Sequence, residues 1–378
     1  MGHRDIIFIK VRNKDAELFL KLLNNTFRNR KVLNQRVGVQ HEDNNVLFPI
    51  INEEELLKIL CDSIGEKVRH IFVSRVAELK KDYKAKTIEE TIENKFPKDL
   101  LKLVPKSYDI IGDIALIEFD DPQLQNIPNS ENFKKEVSKG LIKVNKRVKT
   151  VFEKLGKVST KYRLRDLRLL GGKGNTETVY KENHCIFKLD VMTTYFTPRL
   201  VFERKRITSC RIAPKEKIAD LFAGVGPFSI QIAYNHNVSI FSFDINPKAY
   251  RYLVENIKMN KLKGEIYPYN IDIREIIEPS NEIGKFLKKQ FDRVIMNLPE
   301  KSLDYLDVAC FLLKGKGIIH NYQFCEKENA IDKAITNIKV HLNRIDWQIE
   351  NILTAKIVKP YSPKADLVVV DLYIKQLS

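Results

Sequence analysis

Paired cysteines, metal-ligand spacings and membrane-length apolar runs are all missing from this chain of 378 residues. Its five cysteines (Cys61, Cys185, Cys210, Cys310, Cys325) stand far apart, with no Cys-x-x-Cys and no paired spacing with histidine. That argues against a disulfide framework and against a metal site, and suits thiols kept reduced in a cytoplasm. No run approaches the roughly 18 apolar residues of a membrane helix. The opening Met1-Gly-His-Arg-Asp5 does not read as a secretory signal, so the expected location is cytoplasmic, with no membrane partner. Internal repeats are absent too. What remains is an ordinary globular balance, 43% hydrophobic and 30% charged, long enough for two or three domains.

Acidic residues are also in short supply, and unevenly so. The chain carries a net charge of +16. Between Lys134 and Arg168 stand thirteen bases, opposed only by Glu136, Glu153 and Asp166, so this stretch alone holds +10. A bias of that size in under a tenth of the chain favours a polyanion partner over a merely solvated face.

Taken in order, residues 1–78 read as a small α+β unit with strands at 5–10, 45–50 and 68–74 and helices at 15–23 and 52–60. Residues 79–95 are charged and read as a linker or an exposed helix. A basic α+β domain is expected over 96–190. Its parts are a hairpin from Tyr108 to Glu118 turning at Gly112-Asp113, a basic helix over 130–143, and strands at 148–152 and 186–190 completing one sheet. Tyr162 to Gly174 reads as a basic, glycine-rich loop. From 191 to 378 strand and helix alternate, with strands at 217–223, 238–243, 265–269, 291–297, 316–321, 349–357 and 366–374. Pro360-Tyr-Ser-Pro363 joins the last two as a hairpin, which makes the sheet parallel except for one antiparallel strand.

The chain is organised around Asp220-Leu-Phe-Ala-Gly-Val-Gly-Pro-Phe-Ser229. An apolar strand runs into it, and Pro227 sits where a first helical turn begins. Gly224 and Gly226 let backbone come close to a ligand and leave helix N–H groups facing it. The next strand ends in Asp244, where a nucleotide fold places a carboxylate on ribose hydroxyls. The dinucleotide fingerprint is not met, because Ser229 stands at its third glycine and Asp220 precedes the first.

Asp220-x-Phe-x-Gly-x-Gly with a distal acid resembles the class I S-adenosylmethionine methyltransferases, a Rossmann-like fold with seven strands of which one is antiparallel. The resemblance sharpens at Arg163-Leu-Arg-Asp-Leu167, Tyr195-Phe-Thr-Pro-Arg-Leu200, Asp244-Ile-Asn-Pro247, Asn297-Leu-Pro-Glu300 and Lys359-Pro-Tyr-Ser-Pro363. Together these are similar to the archaeal and eukaryotic tRNA guanine-N1 methyltransferases, which act on the guanosine 3′ of the anticodon, at position 37. The likeness covers almost the whole chain, including a small N-terminal domain of the kind some archaeal members use to inspect the tRNA elbow.

That resemblance implies a set of roles. Glu203 matches the general base that takes the guanine N1 proton, and Arg163 the residue that steadies charge developing on O6. Asn297 is expected to fix the guanine edge, with Pro299 stiffening its turn. For S-adenosylmethionine it implies contacts from Asp220, Gly224, Gly226 and Asn297, with Asp244 on the ribose, Asp272 at the adenine amino group, and Phe222, Ile245 and Ile273 against the adenosine. Arg199 or Arg204 is expected near the methionine end, and Tyr195 supports the pocket by packing. No metal is expected. The partners are tRNA, through its anticodon loop and elbow, and the enzyme is expected to be a monomer.

Plainer readings stand beside these. Glu203 lies in Glu-Arg-Lys-Arg206, where an acid is ordinarily a surface ion pair, and Asp272 can simply cap a helix. Glu300 follows the proline where relatives often carry Lys or a small residue, and Gly171-Gly-Lys-Gly-Asn-Thr176 lacks the usual His. Rival activities are a wyosine-pathway methyltransferase, an aminocarboxypropyl transferase on the same nucleotide, an amino-group methyltransferase, and a silent RNA-binding protein. Leu298 and Glu300 argue against the amino-group enzyme. His320 reads as a structural histidine.

Overall fold

A computed structural model describes residues 4–28, 32–78, 80, 83–159 and 161–377, which fall into two units, Met1–Lys86 and Thr87–Ser378. In the first unit β1 (Arg4–Arg12), α1 (Ala16–Thr26), β2 (Gln40–Glu42), β3 (Asn45–Ile50), α2 (Glu54–Ile64) and β4 (His70–Ala77) follow in order. The strands form an antiparallel sheet in the order β2-β3-β1-β4. Alternation decides its faces: Ile9 and Val11 of β1 and Phe48 and Ile50 of β3 pack with Phe19, Leu23, Leu56 and Leu60 of the helices. Ile6, Phe8 and Leu47 point to the other side, against Val37.

The second unit opens with α3 (Ile88–Ile92), α4 (Lys98–Leu101), β5 (Tyr108–Ile111), β6 (Ile114–Ile117), α5 (Ser130–Val144), β7 (Thr150–Ser159) and β8 (Leu164–Gly172). The sheet runs β5-β6-β7-β8, and Phe133, Val137 and Leu141 of α5 pack on Ala115, Ile117 and Val151. Ile88 and Ile92 are buried in the same core, so part of the expected linker is a packed helix.

Two expectations fail here. Residues 164–172 are not a loop but a strand paired antiparallel with β7, because the arginines extend sideways and find acids on neighbouring elements. Arg165 Nη1 donates to Glu118 at 2.8 Å and Arg168 Nε to Glu153 at 3.1 Å. The strand at 186–190 does not join that sheet either. Among the described residues β9 (Glu177–Glu182) and β10 (Cys185–Asp190) pair only with each other.

The rest alternates strand and helix: α6 (Val201–Thr208), β11 (Lys217–Asp220), α7 (Pro227–Asn235), β12 (Ser239–Asp244), α8 (Pro247–Met259), β13 (Glu265–Asn270), α9 (Glu282–Leu287), β14 (Phe291–Met296), α10 (Leu306–Leu312), β15 (Leu313–Glu326), α11 (Ala330–Asn343), β16 (Trp347–Pro360) and β17 (Ala365–Gln376). The sheet order is β13-β12-β11-β14-β15-β17-β16, parallel but for β17, which runs antiparallel between β15 and β16. Both faces are covered. Ala219, Val294, Met296 and Val368 meet the α10 and α11 side, while Ile218, Ile240, Ile295 and Val369 meet α6 and α7. Asn256 on α8 and Asn260 at its C-cap, four residues apart, act as a surrogate strand for β10. Asn256 accepts from Lys188 N at 2.7 Å and donates to Lys188 O at 3.0 Å, and Asn260 does the same for Ile186 at 2.9 and 2.8 Å. Among the described residues no helix is long and apolar enough to cross a membrane.

Candidate active site

The turn after β11 is set by two glycines with left-handed backbone, Gly224 at φ 57° and Gly226 at φ 92°. At Gly226 a Cβ would also lie 2.5 Å from Leu253 Cδ1, so the position is closed to other residues twice over. Gly226 caps α7 and Pro227 occupies its first turn. Gly224 N donates to Asp244 Oδ2 at 2.7 Å, and Asp244 Oδ1 accepts from Asn246 N at 2.8 Å. Burial pushes the Asp244 carboxyl up from the ordinary range.

A cavity of about 370 Å³ opens at the carboxyl ends of β11, β12 and β13, where open α/β sheets place their ligands. Phe222, Gly224, Asp244, Ile245, Asp272 and Ile273 line it, with Tyr195, Arg163, Arg204 and Asn297. Asp272 does two things, since its Oδ1 also accepts from Arg274 N at 3.0 Å to cap the short 3-10 turn that follows. Tyr305, which no sequence pattern singles out, lines the same wall. Its ring meets Phe222 edge-on at 5.0 Å, and the Arg274 guanidinium lies 4.7 Å over it. Apolar walls, a carboxylate at the glycine turn and a second one beyond suit an adenosine with its ribose diol. The residues present therefore fit S-adenosylmethionine.

Asp220 and Gly226, both expected to touch the cofactor, are not among the lining residues. Asp220 is buried beneath the turn, where Ser229 Oγ donates to it at 2.7 Å and Ser242 Oγ donates to Ser229 at 2.8 Å. Burial pushes its pKa up to about 7. These two residues shape the loop that the cofactor would meet.

A second cavity of about 280 Å³ shares Arg163, Tyr195, Phe196, Thr197, Leu200 and Asn297 with the first. Pro299 lines this one and takes a hydrogen bond from Phe324 N at 3.1 Å. Arg199 lines it too, rather than the first, and donates to Asp109 at 2.6 Å. Lys154 reaches the other oxygen of Asp109 at 2.5 Å. Lys359 is pushed below the ordinary lysine range by burial, with Arg199 adding repulsion. Arg204 lines the first cavity but is locked in a buried pair, Nε and Nη2 meeting Glu182 at 2.5 and 2.6 Å.

Arg163 stands at the junction of the two cavities. Its φ of 59° is unusual for a side chain with a Cβ. The guanidinium lies 5.0 Å over the Tyr195 ring, and Nη2 is 3.7 Å from Glu300. Its Nε is buried with no hydrogen-bond partner among the described residues. Such an orphan donor in a strained residue is the kind of feature found where a ligand completes a site.

Glu203 is 3% exposed and lines neither cavity. Arg206 Nε donates to its Oε2 at 2.9 Å and Tyr322 OH to the same oxygen at 3.3 Å, while Lys356 Nζ reaches Oε1 at 2.5 Å. His320 is structural: Arg293 Nη1 donates to its Nε2 at 2.7 Å, and Nδ1 lies 2.7 Å from Asp371. An arginine can only donate, so it fixes the tautomer with the proton on Nδ1; burial lowers the pKa of this histidine. Many bases of the 134–168 stretch are ion-paired, Lys134 and Arg168 with Glu153, Lys139 with Glu136, and Lys154 with Asp109. Among the described residues no cluster of three His, Cys, Asp or Glu side chains offers a metal site.

Sheet order, glycine turn and cavity together define a class I methyltransferase. Residues 178–369 match the model of the TRM5/TYW2 methyltransferase domain, and residues 88–176 that of the TYW2 N-terminal domain. The chain belongs to the TRM5/TYW2 family. It is 31% identical to the tRNA (guanine(37)-N(1))-methyltransferase Trm5b of Methanocaldococcus jannaschii, over 97% of this chain and 98% of that protein. It is 35% identical to Trm5b of Pyrococcus abyssi, over 73% of this chain and 77% of the relative. Among solved structures, aTrm5 in complex with tRNALeu superposes with a TM-score of 0.66 at 30% identity, covering 97% of this chain and 99% of that one. M. jannaschii TYW2 in complex with AdoMet gives 0.53 at 27%, covering 72% of this chain and 100% of that one.

Proposed function

We propose that this chain is the tRNA (guanine37-N1)-methyltransferase of its family, transferring methyl from S-adenosylmethionine to N1 of the guanosine 3′ of the anticodon. The carrying observation is Arg163, which lines both cavities and whose buried Nε has no hydrogen-bond partner among the described residues. When bound in the larger cavity, the cofactor supplies a methyl group on a sulfonium that departs as a neutral thioether. The guanine enters from the cation-rich smaller cavity. Its N1 carries a proton at neutral pH, so the lone pair is unavailable until a base removes that proton. Glu203 is assigned that task, Arg163 donates to O6 as negative charge moves onto it, and Asn297 holds the base edge. Positioning and deprotonation carry the catalysis.

Asp244 takes the ribose hydroxyls, Asp272 the adenine amino group, and Phe222, Ile245 and Ile273 the adenosine faces. Arg204 is the arginine nearer the donor, since Arg199 lies on the nucleotide side. We assign residues 96–190 to the anticodon stem-loop and residues 1–78 to the tRNA elbow, and the working enzyme is a cytoplasmic monomer. The match of residues 88–176 to a TYW2 N-terminal domain favours a second reading, transfer of the aminocarboxypropyl group of the same cofactor to the same nucleotide. Incubation of an unmodified tRNA transcript with the protein and S-adenosylmethionine, followed by mass identification of the product nucleoside, separates them. N1-methylguanosine at position 37 is expected. An aminocarboxypropyl adduct, or methylation elsewhere, would replace the proposal.

A further inference from the structure

Glu203 carries more partners than a proton acceptor needs, and its two oxygens are held differently. On α6 itself Arg206 grips Oε2, and from β15 Tyr322 reaches the same oxygen. β17 supplies Asp371, which holds Arg206 through both terminal nitrogens, Nη1 to Oδ2 and Nη2 to Oδ1 at 3.3 Å. Asp371 in turn lies 2.7 Å from His320, and His320 meets Arg293 of β14. Cys210, just past α6, donates its thiol to Arg206 O at 3.4 Å. The neighbouring Arg204 is turned away onto Glu182. Everything on the Oε2 side is therefore buried or partly buried and tied to something else. Among the described residues Oε1 has one cationic partner, Lys356 of β16, whose side chain is 42% exposed.

We propose that Glu203 Oε1 is the oxygen that accepts the guanine N1 proton, and that Lys356 is its removable counter-ion. Lys356 pairs with Oε1 in the free enzyme and leaves it for RNA phosphate in the complex, while Arg206 keeps the carboxylate oriented through Oε2. This rests on the reading of Glu203 as the base. The proton passes from N1 to Oε1, the N1 lone pair forms the new bond to the methyl carbon, and the carbon–sulfur bonding pair leaves with sulfur. An ammonium on a flexible stem changes partners readily, whereas a guanidinium locked against a buried carboxylate does not. Lys356 acts through Glu203 and is a positioning residue.

A lysine that moves onto a phosphate releases a counter-ion from the RNA, whereas one that stays on Glu203 does not, so the exchange of partners is read in the salt dependence of binding. The test is tRNA affinity by filter binding at several salt concentrations, together with the single-turnover methylation rate at saturating enzyme, on a transcript with guanosine at position 37. Lys356→Met lowers the slope of log affinity against log salt by about one, and its loss falls on affinity more than on the saturating rate. Lys356→Arg restores the slope. A slope unmoved by Lys356→Met, or a loss confined to the saturating rate, overturns the proposal. Glu203→Gln, measured alongside, keeps the two claims apart. If it retains the full rate, the base assignment itself falls. If it abolishes the rate while Lys356→Met leaves the slope unmoved, only the counter-ion falls.

Discussion

The two cavities meet at Arg163, Tyr195 and Asn297, yet they are built on opposite plans. The larger is walled by strand ends and apolar side chains, and its polar ties are local: Gly224 to Asp244, Asp244 to Asn246, Asp272 to Arg274. The smaller is ringed by Arg163, Arg165, Arg199, Lys154 and Lys359, and its ion pairs join residues 45 to 137 positions apart in the chain. The difference follows from what each must hold. A small, largely apolar group can be gripped by one β-α-β unit and the next strand. Several cations around one hollow repel one another, and acids brought from distant elements must hold them apart.

That contrast can be broken from either side. The largest effect is expected at the acceptor side, where Glu203→Gln lowers the single-turnover rate by about 100-fold or more without weakening either substrate. Raising the pH relieves the loss, because guanine N1 then sheds its proton unaided; full activity at neutral pH would remove Glu203 from the reaction. Arg163→Ala is expected to cost on the order of 100-fold in rate, as for other donors aimed at developing charge, with cofactor affinity unchanged by calorimetry. On the donor side, Asp244→Ala is expected to weaken S-adenosylmethionine binding by about tenfold or more, while tRNA affinity by filter binding stays put.

The smallest effect concerns stability alone. Asp220 has a folded pKa of about 7 against an ordinary 3.8, so folding favours its protonated form. Its contribution is fully present below about pH 4 and is lost as pH rises through 7. Asp220→Asn should flatten that fall in denaturant titrations, by about 1–4 kcal/mol between the two ends. An unchanged slope would mean that the buried carboxylate is ionised throughout.

Much of the donor side was legible in sequence because its determinants are local. Gly224, Gly226 and Pro227 announce a strand-to-helix turn, Asp244 falls one β-α-β unit on, and short apolar runs mark the central strands of the large sheet. Legibility stopped where a residue's role depends on what packs over it. Asp220 reads like a ligand contact and lies under the loop instead, behind Ser229. Leu164–Gly172 reads as a loop because its arginines look unsuited to a sheet, yet Glu118, Glu131 and Glu153 neutralise them in place. Tyr305 has no sequence signal at all, since only the fold sets it against Phe222.

The sequence by itself determined a seven-stranded sheet, a ligand-binding glycine turn and a basic partner surface, since backbone freedom, period and charge are properties of short stretches. Only the tertiary structure decided which oxygen of Glu203 is clamped and which is held by a lysine able to leave, and which of Arg199 and Arg204 faces which cavity. Those outcomes depend on contacts between residues as far apart as 165 positions, and no local pattern encodes a distance of that kind.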